Sequence, residues 1–246
     1  MVIGFRTSAA AMEAQAERLA VLANNLANVS TTGFKADHVE FIQSLSSPRA
    51  AGPLSPGPAA PLTPPVLART RTEFSSGPLR ETGNALDLAI EGRGFFVVQT
   101  PGGVRLTRAG TFVRATDGTL ATPDGAKVLG EGKQPITLPE GGRIHIGTDG
   151  ELSADGATAG RVLVVDPKTD RLVKSGGTRF EAPADVDLAP ATDVQVRQGA
   201  IELSNVNAVH TLVEMMAALR VYESAQRAAR SSDETLSRAV NDVGRL

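Results

Sequence analysis

The chain contains no cysteine and no tryptophan, its aromatic content is 4%, and it has a single tyrosine, Tyr222. Without cysteine there is no disulfide, no thiolate metal ligand and no thiol nucleophile. A chain without cysteine also suits work outside the reducing cytosol, because it needs no oxidative folding step. So few rings argue against a platform on which nucleic-acid bases stack. The three histidines, His38, His145 and His210, are not grouped at metal-ligand spacing. An excess of one charge is missing too: 25 basic and 27 acidic residues are interspersed, for a net charge of -2. With no polybasic block, neither a nucleic-acid nor a lipid-surface partner is expected. No apolar run reaches the roughly 18 residues a membrane-spanning helix needs, so direct membrane insertion is not expected. Met1 to Ala11 lack a basic stretch followed by an apolar one, and no cleaved secretory signal is expected there.

What is present differs between the ends and the middle. From about Thr7 to Val29 the residues are helix formers, without glycine or proline. Met12, Leu19 and Leu26 recur every seven residues, as do Leu22 and Val29, with Gln15 as a polar exception. This helix is predicted to stop in Asn28-Val29-Ser30-Thr31-Thr32-Gly33, where polar side chains compete for backbone hydrogen bonds and Gly33 can take a left-handed cap. A second helix is predicted from about Asn205 to Val243, capped by Ser204 or Asn205. Its seven-residue spacings are Leu212 and Leu219, and Met215, Tyr222, Ala229, Leu236 and Val243. Neither narrow stripe is buried by its own helix, so each needs a partner: the other terminal helix, a neighbouring subunit, or both. Before such partners are present, both ends are expected to be mobile.

Pro48 to Pro65 holds seven of the fifteen prolines and reads as an extended linker. From about Arg69 to Gln198 the pattern is β. Short apolar runs such as Leu86–Ile90, Phe95–Val98, Arg161–Val165 and Val194–Val196 alternate with turn signals at Asp117-Gly118, Asp124-Gly125, Asp149-Gly150 and Asp155-Gly156. Strands without helical crossovers favour antiparallel pairing. The fold class is therefore α+β: paired, coiled-coil-like N- and C-terminal helices plus a central, mostly antiparallel β domain. The expected division is a helical domain from residues 1–45 with 203–246, a linker at 46–68 and a β domain at 69–202. The stretch 69–198 is expected to fold by itself, with Arg80, Glu91, Arg93, Arg105 and Arg108 at strand ends and faces.

Motifs for chemistry are weak. Gly92-Arg93-Gly94 follows a strand, but a dinucleotide site needs a third glycine and then a helix, and here another strand follows. A tight turn explains it better. The Asp-Gly pairs lack the ligand spacing of a calcium loop, and no nucleophile elbow appears. No catalytic residue, cofactor or metal site is predicted.

Three stretches together resemble the flagellar rod and hook axial proteins. They are Leu22-Ala23-Asn24-Asn25-Leu26-Ala27-Asn28-Val29-Ser30-Thr31-Thr32-Gly33-Phe34-Lys35; then Gly77 to Phe96, continuing through Leu106-Thr107-Arg108-Ala109-Gly110-Thr111-Phe112 to Asp117-Gly118; and Leu203-Ser204-Asn205-Val206-Asn207-Ala208-Val209 with Arg220-Val221-Tyr222-Glu223. The chain departs from that family at Leu106, where tyrosine is frequent, and at His210-Thr211, where a carboxylate is common. Its length and short Pro-rich connection are more similar to the proximal-rod than to the distal-rod subunit. The resemblance implies a structural subunit, not an enzyme, that polymerises through its terminal helices into the basal-body rod. It also implies partners: other copies, further rod and axial proteins, and the flagellar type III export apparatus, which would replace a cleaved signal. The expected assembly residues are Met12, Leu19, Leu22, Asn24, Asn25, Leu26, Asn28, Asn205, Val206, Asn207, Leu212, Met215, Leu219 and Tyr222. The competing reading is an extracytoplasmic ligand-binding or hydrolytic β domain flanked by helices, which needs convergent polar groups in a concave site.

Overall fold

The computed structural model describes residues 2–43, 66–139, 141, 143–183, 186, 188–191 and 194–243. Nearly all of the Pro-rich segment expected as a linker lies outside them. The chain divides into two compact units, one of residues 1–27, 37–71 and 207–246, the other of residues 28–36 and 72–206.

The first unit contains helix α1, Val2–Ala27, and helix α2, Ala208–Val243. It also contains a two-stranded ribbon, Asp37–Gln43 with Val66–Thr72. The coiled-coil-like pairing expected of the terminal helices is only partly matched, for three reasons. Helix α2 has 36 residues and α1 has 26, so α1 cannot cover it. Helix α1 gives part of its surface to the ribbon, where the Asn25 side chain and the Asp37 backbone exchange two hydrogen bonds (Nδ2 to O, 2.7 Å; N to Oδ1, 2.9 Å). The inward face of α2 is also one residue out of phase with part of the expected stripe. Its buried and half-buried positions run Ala208, Thr211, Glu214, Met215, Ala218, Tyr222, Ala225, Gln226 and Ala229. Leu212 and Leu219, expected on that stripe, are 41% and 42% exposed. Small residues let helices approach closely, so Thr211 and Ala218 lie inward where leucine was expected. The side chains of Leu236 and Val243 lie outside those described.

The second unit is β. Its largest sheet has eight strands, with Phe95–Thr100 near the centre between Gly103–Thr107 and Lys127–Val128. Every registered strand pair in the unit is antiparallel. Side chains alternate across a strand, and Phe95–Val98 uses both faces. Phe96 and Val98 join one core with Phe112, Leu120 and Val128, while Phe95 and Val97 join another with Leu106, Leu129 and Phe180. The strand divides two apolar cores, which is why it reads as an unbroken apolar run. Phe74, Phe95 and Phe180 meet at ring separations of 5.0 to 5.8 Å.

The Asp-Gly pairs sit at turns. Asp155 and Gly156 both have positive φ, 49° and 84°, in a two-residue turn joining Glu151–Ala154 to Ala157–Arg161, as a type I′ hairpin requires. Gly92 and Gly94 also have positive φ, 98° and 134°, and the chain returns directly into the strand at Phe95. Gly92-Arg93-Gly94 is thus a turn between strands.

Candidate assembly surface and buried charge cluster

Two features of the structure draw on the sequence stretches singled out above. One is the surface of α2. Asn207 starts this helix: its Oδ1 accepts from His210 N (3.0 Å) and its carbonyl accepts the first helical bond, from Thr211 N (2.9 Å). Neither Ser204 nor Asn205, the expected caps, does this, because a capping side chain reaches only two or three residues ahead. On α2, Val209, Leu212, Val213, Met216 and Leu219 form an exposed apolar strip beside the inward face; Val209 is 73% exposed. Such a strip on a helix is an unusual place to leave large apolar side chains in water.

The other expected assembly residues of the first unit are distributed unevenly. On α1, Leu22 and Asn25 are buried, Met12, Leu19 and Leu26 are half-buried, and Asn24 is exposed. On α2, Met215 and Tyr222 are half-buried. Arg18 lies 3.9 Å from Glu214, and His210 lies 3.4 Å from the same carboxylate. An open pocket of about 210 Å³ is lined in part by Arg18, Asp37, His38 and Glu214. Among the described residues no group of three or more His, Cys, Asp or Glu is placed to share a metal ion.

The second feature is a charge cluster inside the β unit that sequence reasoning missed. Glu202 is 0% exposed, Lys35 1% and Arg108 4%. Glu202 Oε1 accepts from Lys35 Nζ at 2.6 Å and from Gly77 N at 2.8 Å, and Oε2 accepts from Arg108 Nη1 at 3.0 Å. Lys35 Nζ also donates to Ser75 O at 2.7 Å, and Arg108 donates to Ile90 O and to Gly92 O. The Arg108 guanidinium also stands 5.5 Å from the Phe95 ring centre, a cation–π distance. Arg108 was expected at a strand end or face; it is instead a buried cation paired with Glu202. A signal for the cluster was present, because Glu202 sits within Ala200-Ile201-Glu202-Leu203, a charge inside an apolar strand.

Asn28, Asn205 and Val206 belong to this unit and are all half-buried. Asn28 closes a turn in which Thr31 N donates to its carbonyl and Thr31 Oγ1 to its Oδ1, both at 3.1 Å. Asn205 Oδ1 accepts from Ala36 N (2.7 Å), and its Nδ2 donates to Glu73 O and to Ser75 O and Oγ. Gly33 N donates to Glu202 O at 2.8 Å. Gly33 has a φ of 69°, and a Cβ there would meet Ala109 N at 2.2 Å. This glycine therefore serves the docking of residues 28–36, not the end of α1, which stops at Ala27. Phe34 is buried beneath Lys174, whose Nζ lies 4.1 Å from the ring centre and donates to Lys35 O.

The chain thus carries a helix toward each end of its sequence and an antiparallel β unit in which a lysine, a glutamate and an arginine are buried together. Three family models match it: "Flagella basal body rod protein" over residues 5–35, "Flagellar hook protein FlgE/F/G D1 domain" over residues 89–154, and "Flagellar basal body rod FlgEFG protein C-terminal" over residues 197–242. The flagellar basal-body rod protein FlgF of Caulobacter vibrioides is 34% identical over 93% of this chain and 92% of that protein. FlgF of Rhizobium meliloti is 31% identical over 99% of each. The basal-body rod protein FlgG of Bacillus subtilis is 32% identical over 91% of this chain and 92% of its own length. The chain belongs to the flagellar basal-body rod protein family, and its similarity to FlgF proteins supports the FlgF type. That family is structural, not enzymatic, and its place is the flagellar basal body. The comparisons lend nothing to the competing reading of a hydrolytic or ligand-binding β domain.

Proposed function

We propose that this chain polymerises through its terminal helices into the rod, where many copies and other axial proteins form the drive shaft and export channel required for motility. The observation that carries the reading is the exposed apolar strip Val209, Leu212, Val213, Met216 and Leu219 on α2. Apolar surface of this kind becomes stabilising only when another molecule covers it. The contacting set includes Met12, Leu19, Leu22, Leu26, Met215 and Tyr222 beside the strip, with Asn24, Asn25, Asn28, Asn205, Val206 and Asn207 shaping the ends of the helices. The chain reaches the periplasm-crossing rod through the flagellar type III export apparatus.

The test is a Leu212→Asp, Leu219→Asp double variant. Because both side chains are exposed in the free chain, the protein is expected to fold as before. It should be missing from purified basal bodies, and the cells should not swim. Each Leu→Ala change should weaken the assembled contact by about 2–5 kcal/mol where the side chain is fully covered. Normal motility in the double Asp variant overturns the proposal.

A further inference from the structure

The Lys35–Glu202–Arg108 cluster joins stretches of chain that are far apart in sequence. Glu202 takes side-chain donors from residues 35 and 108 and a backbone donor from Gly77. Its strand, Ala200–Glu202, pairs with Leu79–Glu81, and its carbonyl holds Gly33 N. Three residues on, Asn205 holds Ala36 N and reaches back to residues 73 and 75. Close backbone approach seals the same places. A Cβ at Gly33 would meet Ala109 N at 2.2 Å, and one at Gly77 would meet Leu203 O at 2.1 Å.

We propose that this cluster is an interlock: residues 28–36, which follow α1, and strand Ala200–Glu202, which leads toward α2, take their places in the β unit together or not at all. If residues 28–36 withdraw, Lys35 leaves. Glu202 and Arg108 then remain in a site with one hydrogen-bond donor too few. If the strand withdraws, Lys35 and Arg108 lose the carboxylate to which both are bonded. Breaking a buried ionic group by removing one partner is strongly unfavourable, because the remaining charge is neither solvated nor paired. Each half-docked state therefore carries an uncompensated polar group, and that cost is absent only when both segments are seated. The segments leading out of one helix and into the other thus become ordered in a single step, a property set within the β unit and separate from any contact between subunits.

Hydrogen exchange on the full chain tests this, using Lys35→Met and Glu202→Gln. The informative amides lie away from the altered side chain: Gly77 and Leu203 for Lys35→Met, and Gly33 and Ala36 for Glu202→Gln. Each variant is expected to accelerate exchange at its distant pair by about tenfold or more. Val97, in the central sheet, should stay as protected as in the parent. Acceleration confined to Gly33 and Ala36 in Lys35→Met overturns the interlock. So does loss of protection at Val97 in that variant, since the cluster would then be supporting the whole unit. Should Glu202→Gln not fold, Lys35→Met decides alone, because it retains the Glu202–Arg108 pair.

Discussion

Lys35 stands where few lysines do, buried at 1% exposure with its ammonium bonded to Glu202 and Ser75 O. Desolvation lowers its pKa from the ordinary 10.5; Glu202 opposes that shift, Arg108 adds to it and Glu73 opposes it weakly. The sign for stability follows from proton binding. Between the lowered folded value and 10.5, the unfolded chain binds the proton more tightly than the folded one. Folding stability is therefore penalised below the folded pKa, and the penalty is relieved as pH rises through that window to 10.5. Urea unfolding of the parent and of Lys35→Met across alkaline pH should show this. The difference in midpoint between them should shift in the parent's favour as pH rises, and a pH-independent difference would contradict the assignment. The partner residues differ in how readable they were. Gly33, Phe34 and Lys35 belonged to a recognised motif, but its purpose was invisible, because Glu202 lies 167 residues from Lys35.

At the scale of elements, the helices show where periodicity suffices and where it does not. Both helices were legible from their residues, and so was half of the inward face of α2: Met215, Tyr222 and Ala229. By apolar size the other half reads as Leu212 and Leu219. The helix instead puts Thr211 and Ala218 inward. Two substitutions separate the alternatives in the free chain. Leu219→Ala should change thermal stability little, since exposed positions away from special features are usually worth within about 0.5 kcal/mol. Ala218→Leu should destabilise by about 1–3 kcal/mol, because extra methylenes are forced into an occupied site. Calorimetry on the isolated protein reads both, and a larger loss for Leu219→Ala would restore the leucine stripe to the inward face.

For the whole molecule, the two units are not successive stretches of chain. The β unit takes residues 28–36 from beyond α1 as well as 72–206, and the helical unit takes the strands at 37–71. Residues 69–198, which the pattern of strands and turns marks as a self-standing domain, omit both Lys35 and the Ala200–Glu202 strand. Arg108 would be left buried without its carboxylate, and Leu79–Glu81 without its pairing strand. A fragment of residues 69–198 is therefore expected to lack a cooperative unfolding transition, while residues 28–206 retain one. Circular dichroism during urea titration distinguishes them, and a cooperative transition in the shorter fragment would overturn this view of the unit. The expectation of mobile ends changes in the same way. Slow exchange should extend to Phe34, Lys35 and the 200–205 stretch, because these belong to the β unit.

The sequence by itself determined what depends on neighbours along the chain. The runs of helix formers made two terminal helices, alternation and Asp-Gly pairs made hairpins, and three motifs carried the family. Each of these rests on interactions spanning a few residues, or on a pattern repeated often enough to be read without a partner. Tertiary structure decided which face of α2 turns inward, that Asn25 clamps a strand, that Asn205 holds Ala36 rather than a helix end, and that Arg108 is a buried cation. Those outcomes depend on which distant segment arrives opposite a given side chain. A lysine, an arginine and a glutamate read as solvent charges until folding excludes the water between them.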